Sequence, residues 1–383
     1  MLILSSVFAD NPNLVREGTA NRLLGFYGSM ANNLLATDPF SSVYWYSNIE
    51  HSFRTIYSQD KRKSSILASI YRCIRLSAYS RSFLLVIVAY PSVVKDKTVK
   101  GRLFSSIDLL LSISVIKLIG YRRAKLVLDD FDPPVELNSA FSNSKQSTVA
   151  TVFRRAFDLV CLKLASEIVV VTDSYRRYFS KAYKIDAKRF TVIPNGALVD
   201  QIPFEVPKFS HPITVLYSGS ATKPKNFDKL LECISTLRLK GLDIELQVAG
   251  SEMELPEWAH NIQTDWKNYV KNVLAKADIC VIPYPSDKLH FAYTMPAKLA
   301  DYMAAGKPIV ATNALETALL VKKYSCGLVA ENWADFSSKI EKLCCCPDLA
   351  VILGTNGRKA IEENFNYELL AQRFLKKMSG KFS

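Results

Sequence analysis

Ile279-Cys-Val-Ile-Pro-Tyr-Pro-Ser286, a polar loop, and Thr294-Met-Pro-Ala-Lys-Leu-Ala-Asp-Tyr-Met-Ala-Ala-Gly306-Lys-Pro-Ile-Val-Ala-Thr312 form the stretch on which the fold turns. The apolar run Ile279–Ile282 suits a strand buried on both faces of a parallel sheet. Tyr284 to Tyr293 is expected to be loop. Thr294 is the expected N-cap, and Pro296 falls in the first helical turn, where a missing N–H costs nothing. Leu299, Met303 and the small pair Ala304-Ala305 give a helix that packs closely. Gly306 ends it, and Pro308 cannot continue it. Ile309–Ala311 is the next strand. Strand, loop and helix start together make an anion site, because the first N–H groups of a helix have no partner within it. Lys298 adds positive charge in the first turn, and Asp301, one turn on, can hold a pair of hydroxyls. Diphosphate at the helix start and ribose on the carboxylate would suit a sugar nucleotide.

The flanking sequence repeats the alternation. Ile213–Tyr217 reads as a strand, ending in Ser218-Gly-Ser-Ala-Thr-Lys-Pro-Lys-Asn226. A helix follows, with Phe227, Leu230, Leu231, Ile234 and Leu237 on one side. Gly219 lets the backbone come close to a ligand. Ile244–Gly250 is a further strand and turn, and Trp266–Ala275 a helix leading to Ile279. Asp200–Pro212, with three prolines, reads as a linker. Before it, strands are expected at Leu2–Leu4, Val43–Tyr46, Leu84–Ala89, Lys125–Leu128, Ile168–Thr172 and Phe190–Ile193. Strands alternating with helices argue for doubly wound parallel sheets. The absence of a GxGxxG fingerprint counts against a dinucleotide-binding dehydrogenase.

The chain has 383 residues, enough for two domains. Its net charge is +13, and the excess is uneven. Up to Glu205 there are 27 Lys+Arg against 17 Asp+Glu, which leaves only +3 for the remainder. Such a field favours nucleic acid, an anionic membrane or an acidic substrate. The basic residues show no aromatic-interleaved motif, so nucleic acid is the poorest of these. Lys61-Arg62-Lys63 is expected to open a helix with Ile66, Leu67, Ile70, Tyr71 and Ile74 as its apolar stripe. Two readings of it stand: a helix lying on an anionic bilayer, or a core-facing helix with a solvated basic face. Leu103–Ile119 contains Asp108 and Lys117 and reads as a buried amphipathic helix rather than a membrane span. The eight cysteines include no CxxC pair, and the four histidines no HExxH. Neither a disulfide framework nor a metal site is expected, and the reduced thiols suit the cytoplasm.

Pro296-Ala-Lys298-Leu-Ala-Asp301-Tyr-Met-Ala-Ala-Gly306-Lys-Pro308 resembles the donor-site helix of retaining glycosyltransferases of family 4, the glycosyl transferases group 1. The likeness is strongest over Ala165–Thr312. It takes in Ile168–Ser174, Pro194-Asn195-Gly196 and the Gly219–Asn226 loop. It implies a GT-B fold, two doubly wound Rossmann-like domains facing a central cleft. The expected division is an acceptor-binding domain at 1–205, a nucleotide-sugar-binding domain at 206–365, and a last helix, 366–383, crossing back to the first. The resemblance assigns the diphosphate to Lys225 and Lys298, and donor contacts to Gly219, Ser220, Thr294, Met295, Pro296 and Asp301. Gly18, Asp130, Asp132, His290 and Tyr293 are candidates for acceptor or sugar contacts. Three positions depart from the family's pattern. Tyr293 stands where a glutamate is usual, Ser220 where an arginine is, and Asn226 where a glycine is.

The activity so implied is metal-independent transfer of a hexose from a nucleotide-sugar to a glycan or lipid-linked acceptor, with retention at the anomeric carbon. No cofactor is expected beyond the nucleotide-sugar substrate. The setting implied is cell-surface polysaccharide or glycoconjugate synthesis at the cytoplasmic membrane face, with peripheral contact to anionic lipid. Two alternatives are kept: a scaffold of the same fold without activity, favoured by the missing arginine and glutamate, and a sugar-nucleotide epimerase.

Overall fold

The structure, a computed structural model, describes residues 2–5, 22–37, 44–47, 52–55, 62–63, 84–89, 124–130 and 148–379. The chain divides into two compact units. One comprises Met1–Leu14, Tyr27–Pro194 and Phe374–Ser383, the other Val15–Phe26 and Asn195–Arg373.

The first unit is built on strands β1 (Leu2–Ser5), β2 (Tyr44–Ser47), β3 (Ser52–Thr55), β4 (Arg62–Lys63), β5 (Leu84–Ala89), β6 (Ala124–Asp129), β7 (Glu167–Val170) and β8 (Phe190–Val192). They form one sheet in the order β4-β3-β2-β1-β5-β6-β7-β8. Pairing is parallel from β2 to β8 and antiparallel at the β2–β3–β4 edge. Helices α1 (Gly28–Thr37), α2 (Thr148–Leu164) and α3 (Asp173–Tyr183) belong to this unit. Thr172 caps α3 by accepting from the Tyr175 N–H. Lys377 donates to the buried Glu167 carboxylate at 2.7 Å, tying the chain's last helix to β7. The expected helix start at Lys61–Lys63 is corrected: Arg62 and Lys63 pair with Phe53 and Ser52 as an edge strand. Ladder hydrogen bonds to β3 override the local helical pattern there. Lys61, the stripe from Ile66 to Ile74, Leu103–Ile119, Gly18 and Asp132 lie outside the described residues.

The second unit carries β9 (Ile213–Ser218), β10 (Ile244–Ala249), β11 (Ala259–Ile262), β12 (Ile279–Ile282), β13 (Ile309–Thr312) and β14 (Gly327–Ala330). Its sheet runs β11-β10-β9-β12-β13-β14, parallel throughout. The order reverses between β9 and β12, and in open parallel sheets ligands bind at the carboxyl ends of the strands at such a reversal. All four residues of β12 are buried, as its unbroken apolar run requires. Helices α4 (Phe227–Leu239), α5 (Leu289–Tyr293), α6 (Ala297–Ala304), α7 (Leu315–Lys323), α8 (Trp333–Cys345) and α9 (Pro347–Ala360) follow, and α10 (Tyr367–Ser379) belongs to this unit up to Arg373 and to the first unit from Phe374. Leu230, Ile234 and Leu237 of α4 and Phe336, Ile340 and Leu343 of α8 share one core with Val215, Leu246, Val281 and Val310. Burying side chains of this size contributes about 1.5–3 kcal/mol each before entropy is charged against it.

Two contacts brace the far end of α6. The Lys307 ammonium is fully buried and donates to the carbonyls of Glu205 and Ala275 at 2.7 and 2.6 Å. Gly354 of α9 lies against the Gly306 turn, where an added Cβ would stand 2.0 Å from the Gly306 carbonyl oxygen.

Candidate active site

Two loops leave the sheet at the β9–β12 reversal. After β9, Gly219 adopts φ +103° and its N–H donates to the Ala249 carbonyl at 2.7 Å. A side chain there would be strained, and its Cβ would stand 3.2 Å from the Lys298 Nζ. A 3-10 turn at Lys223–Lys225 then leads to Asn226, φ 57°, and into α4. Asparagine tolerates this left-handed backbone better than most residues, which explains how it fills a position where glycine is usual. Its side-chain amide donates to the Pro283 carbonyl at 3.1 Å, joining this loop to the end of β12.

The second loop holds Tyr284, α5 and the start of α6. Two expectations are corrected here. Leu289–Tyr293 is a short helix rather than loop, and Thr294 is its C-cap. Pro296, not Thr294, is the N-cap of α6, and no side chain caps that helix start. The proline has no N–H to donate, and its φ of −63° feeds the chain directly into the first turn.

Lys298 projects from this uncapped turn. It is 8 % exposed, and its Nζ has no hydrogen-bond partner. The ammonium lies 3.9 Å from the Tyr217 ring centroid and 5.3 Å from that of Tyr284. Lys225 reaches the Tyr284 ring, 6.0 Å from its centroid, and donates to the Ser220 hydroxyl. Tyr217 is held by its own hydroxyl, which donates to the Ser220 carbonyl at 2.8 Å. Burial drives the Lys298 pKa well below 10.5, and the neighbouring Lys225 charge lowers it further. The Asp301 carboxylate opposes both. Two cations thus converge on an aromatic floor, and a buried one lacks the acceptor that a buried ammonium requires.

Asp301 is 5 % exposed and interacts electrostatically with Lys298 and Tyr269. Next to it in sequence, the Tyr302 hydroxyl bonds both the Ser218 N–H, at 2.8 Å, and the Ser218 hydroxyl, at 2.9 Å. The helix is thereby keyed to the end of β9. His290 is buried and packs edge-on against Phe291, which in turn packs on Tyr284. Tyr293 is half-buried and Thr294 and Met295 are buried. Gly219, Ser220, Lys225, Lys298 and Asp301 therefore share one neighbourhood with the α6 start. In the first unit, Asp130 is buried at the end of β6, and its neighbour Asp129 accepts from the Tyr27 hydroxyl. Among the described residues no group of three or more His, Cys, Asp or Glu could hold a metal ion. Among them, too, no helix is long and apolar enough to cross a membrane.

Sequence reasoning missed Tyr217 and Tyr284. Their signal was faint: a tyrosine two residues before a loop glycine, and a tyrosine between two prolines just after a buried strand.

Residues 212–345 match the family model described as glycosyl transferases group 1. The fold is similar to that of sucrose-phosphate synthase from Thermosynechococcus elongatus. Identity is 14%, the match covers 100% of this chain and 99% of that one, and the TM-score is 0.67. It is similar to Anabaena Alr3699/HepE, solved in complex with UDP, at 11% identity, 99% of each chain and a TM-score of 0.61. A glycosyltransferase from Rickettsia africae shares 14% identity over 98% of this chain and 96% of its own, with a TM-score of 0.58. No curated protein matches the chain. The architecture is that of the GT-B glycosyltransferases, and with the group 1 match over residues 212–345 it supports a glycosyltransferase enzyme.

Proposed function

We propose that the protein transfers a hexose from a nucleoside-diphosphate sugar to a glycan or lipid-linked acceptor, with retention at the anomeric carbon and without a metal ion. The observation that carries this reading is the buried Lys298 ammonium, which has no acceptor and stands beside Lys225 over Tyr217 and Tyr284. A diphosphate supplies the missing acceptor. HepE of Anabaena, of like fold, has been solved with UDP and with UDP-glucose.

In this reading Lys225 and Lys298 bind the diphosphate, helped by the uncapped N–H groups at the start of α6. Their charge stabilises what develops on the β-phosphate as the bond from its oxygen to the sugar's anomeric carbon breaks. The acceptor oxygen forms the new bond on the same face. Its proton passes to the departing phosphate oxygen, so no protein base is required. Asp301 holds the ribose, and the adjoining diphosphate is thereby kept in register. Gly219 and Ser220 line the phosphate side; Thr294, Met295 and Pro296 form the turn beside the sugar, with His290 and Tyr293. Asp130 is assigned to the acceptor. The basic excess of the first half of the chain suits a lipid-linked acceptor at an anionic, cytoplasmic membrane face.

The test is a panel of nucleotide-sugars, scored for thermal stabilisation and slow hydrolysis. NMR of the transfer product then reads its anomeric configuration. Stabilisation by one donor, with hydrolysis and a retained configuration, is the expected result. Indifference to the whole panel would sink the reading, and an inverted product would sink its stereochemistry.

A further inference from the structure

Asn195-Gly196 is a turn dipeptide, and shaping that turn is the local role its sequence suggests. The structure gives it a longer reach. Its Nδ2 donates to the Met295 carbonyl at 2.7 Å, a hundred residues along the chain. A side-chain amide that donates on one side presents its oxygen on the other. That oxygen, Oδ1, faces the Arg22 guanidinium, 3.5 Å from Nη1. Both side chains are buried, Arg22 completely, and both belong to the second unit. The guanidinium also lies over the Phe26 ring, 5.2 Å from its centroid.

The base of this arrangement is pinned. A Cβ on Gly196 would stand 2.2 Å from the Phe365 carbonyl oxygen, so only glycine fits. Ala197 exchanges backbone hydrogen bonds with Phe365 and Tyr367 on either side of Asn366. Gly25 lies flat against the Tyr367 ring, where a Cβ would meet Cδ2 at 2.0 Å. At the other end, the Met295 carbonyl belongs to the peptide that enters Pro296. Proline fixes the next dihedral, so the tilt of that peptide sets the direction in which α6 starts.

We propose that Arg22 and Asn195 are positioning residues for glycosyl transfer. Arg22 sets the orientation of the Asn195 amide, the amide holds the Met295 carbonyl, and that carbonyl fixes the peptide from which the uncapped start of α6 and Lys298 project. This rests on the reading that the α6 start binds the donor diphosphate. It adds a control on that site that lies outside its contacts.

Four variants test it, with UDP and UDP-glucose as probes. Asn195→Ala removes both links. Asn195→Asp keeps a partner for Arg22 but cannot donate to the Met295 carbonyl while ionised. Arg22→Met removes the guanidinium, and Arg22→Lys keeps the charge. Each is measured for UDP affinity, for donor KM and kcat, and for thermal midpoint. Asn195→Ala and Asn195→Asp should both raise the donor KM and weaken UDP binding by about tenfold, as loss of a buried hydrogen bond predicts. Asn195→Asp should melt close to the wild type, which separates positioning from folding. Arg22→Lys should recover part of what Arg22→Met loses. An Asn195→Asp protein with wild-type KM and UDP affinity overturns the proposal while leaving the donor site intact, as does an effect confined to the melting point. A wild-type protein that binds neither probe nor any other nucleotide-sugar overturns both the proposal and the reading beneath it.

Discussion

Lys298 and Lys307 stand at opposite ends of the same helix, and both are buried. Burial lowers the pKa of both. Their hydrogen bonding differs. Lys307 donates to two carbonyls, while the Lys298 Nζ has no hydrogen-bond partner. A buried ammonium costs several kcal/mol unless its hydrogen bonds are made. Lys307 recovers that cost within the fold, by tying Glu205 and Ala275 to the end of α6. Lys298 has ring contacts and the Asp301 charge but no hydrogen bond, and in the proposed function a bound diphosphate supplies the missing acceptor. In the proposed function the contrast separates a lysine that serves the fold from one that serves a substrate, although both lie in one short motif.

The sharpest way to break this contrast is to exchange each lysine for methionine. Lys298→Met should lower transfer by about a hundredfold to a thousandfold, the usual effect of removing one preorganised donor to a developing anion. Its thermal midpoint should stay level or rise, because an uncompensated buried amine has gone. A variant with near-normal turnover would end the assignment. Lys307→Met should do the reverse. It strands two buried carbonyls and should cost about 2–4 kcal/mol in a denaturant titration. The fraction that remains folded should bind UDP as the wild type does; a large loss of binding there would erase the distinction.

Lys225→Ala should reduce transfer by well over tenfold with the melting point preserved. Lys225 is half-exposed and its role is the smaller of the two cations. The smallest effect is in the pH dependence. Lys298 binds fewer protons in the empty folded protein than in the unfolded chain between its lowered pKa and 10.5. Stability of the empty protein should therefore rise with pH across that window. A bound diphosphate favours the charged form of Lys298 and should flatten the slope. Melting curves with and without UDP at several pH values check this, and parallel slopes would show that no proton is taken up.

Much of the second unit was legible beforehand, because most of its strands are runs rich in apolar and β-branched residues bounded by Gly and Pro. Ile279–Ile282 and Ile213–Tyr217 read directly as buried strands. The strands that escaped notice are those lacking that pattern. β11, Ala-His-Asn-Ile, is a polar edge with two exposed residues, and β14 opens on a glycine that passes close to β13. β3 and β4 are held by hairpin pairing, which leaves little trace in local composition. In the site, Lys298 and Asp301 followed from their place one helical turn apart. The boundary at Pro296 did not, since a threonine and a proline near a helix start fit more than one register. Asn195 escaped for a different reason. Its partner lies a hundred residues away, and no local spacing encodes such a pairing.

The snug fit of Gly354 on the Gly306 turn carries a lesson for anyone who would re-engineer this enzyme. The back wall of α6 has no slack, so one methyl group added at 354 acts as a wedge, displacing α6 from behind. If α6 holds the donor as proposed, libraries meant to retune donor choice can be built remotely, and the same spot is where a random substitution would silently detune the catalyst.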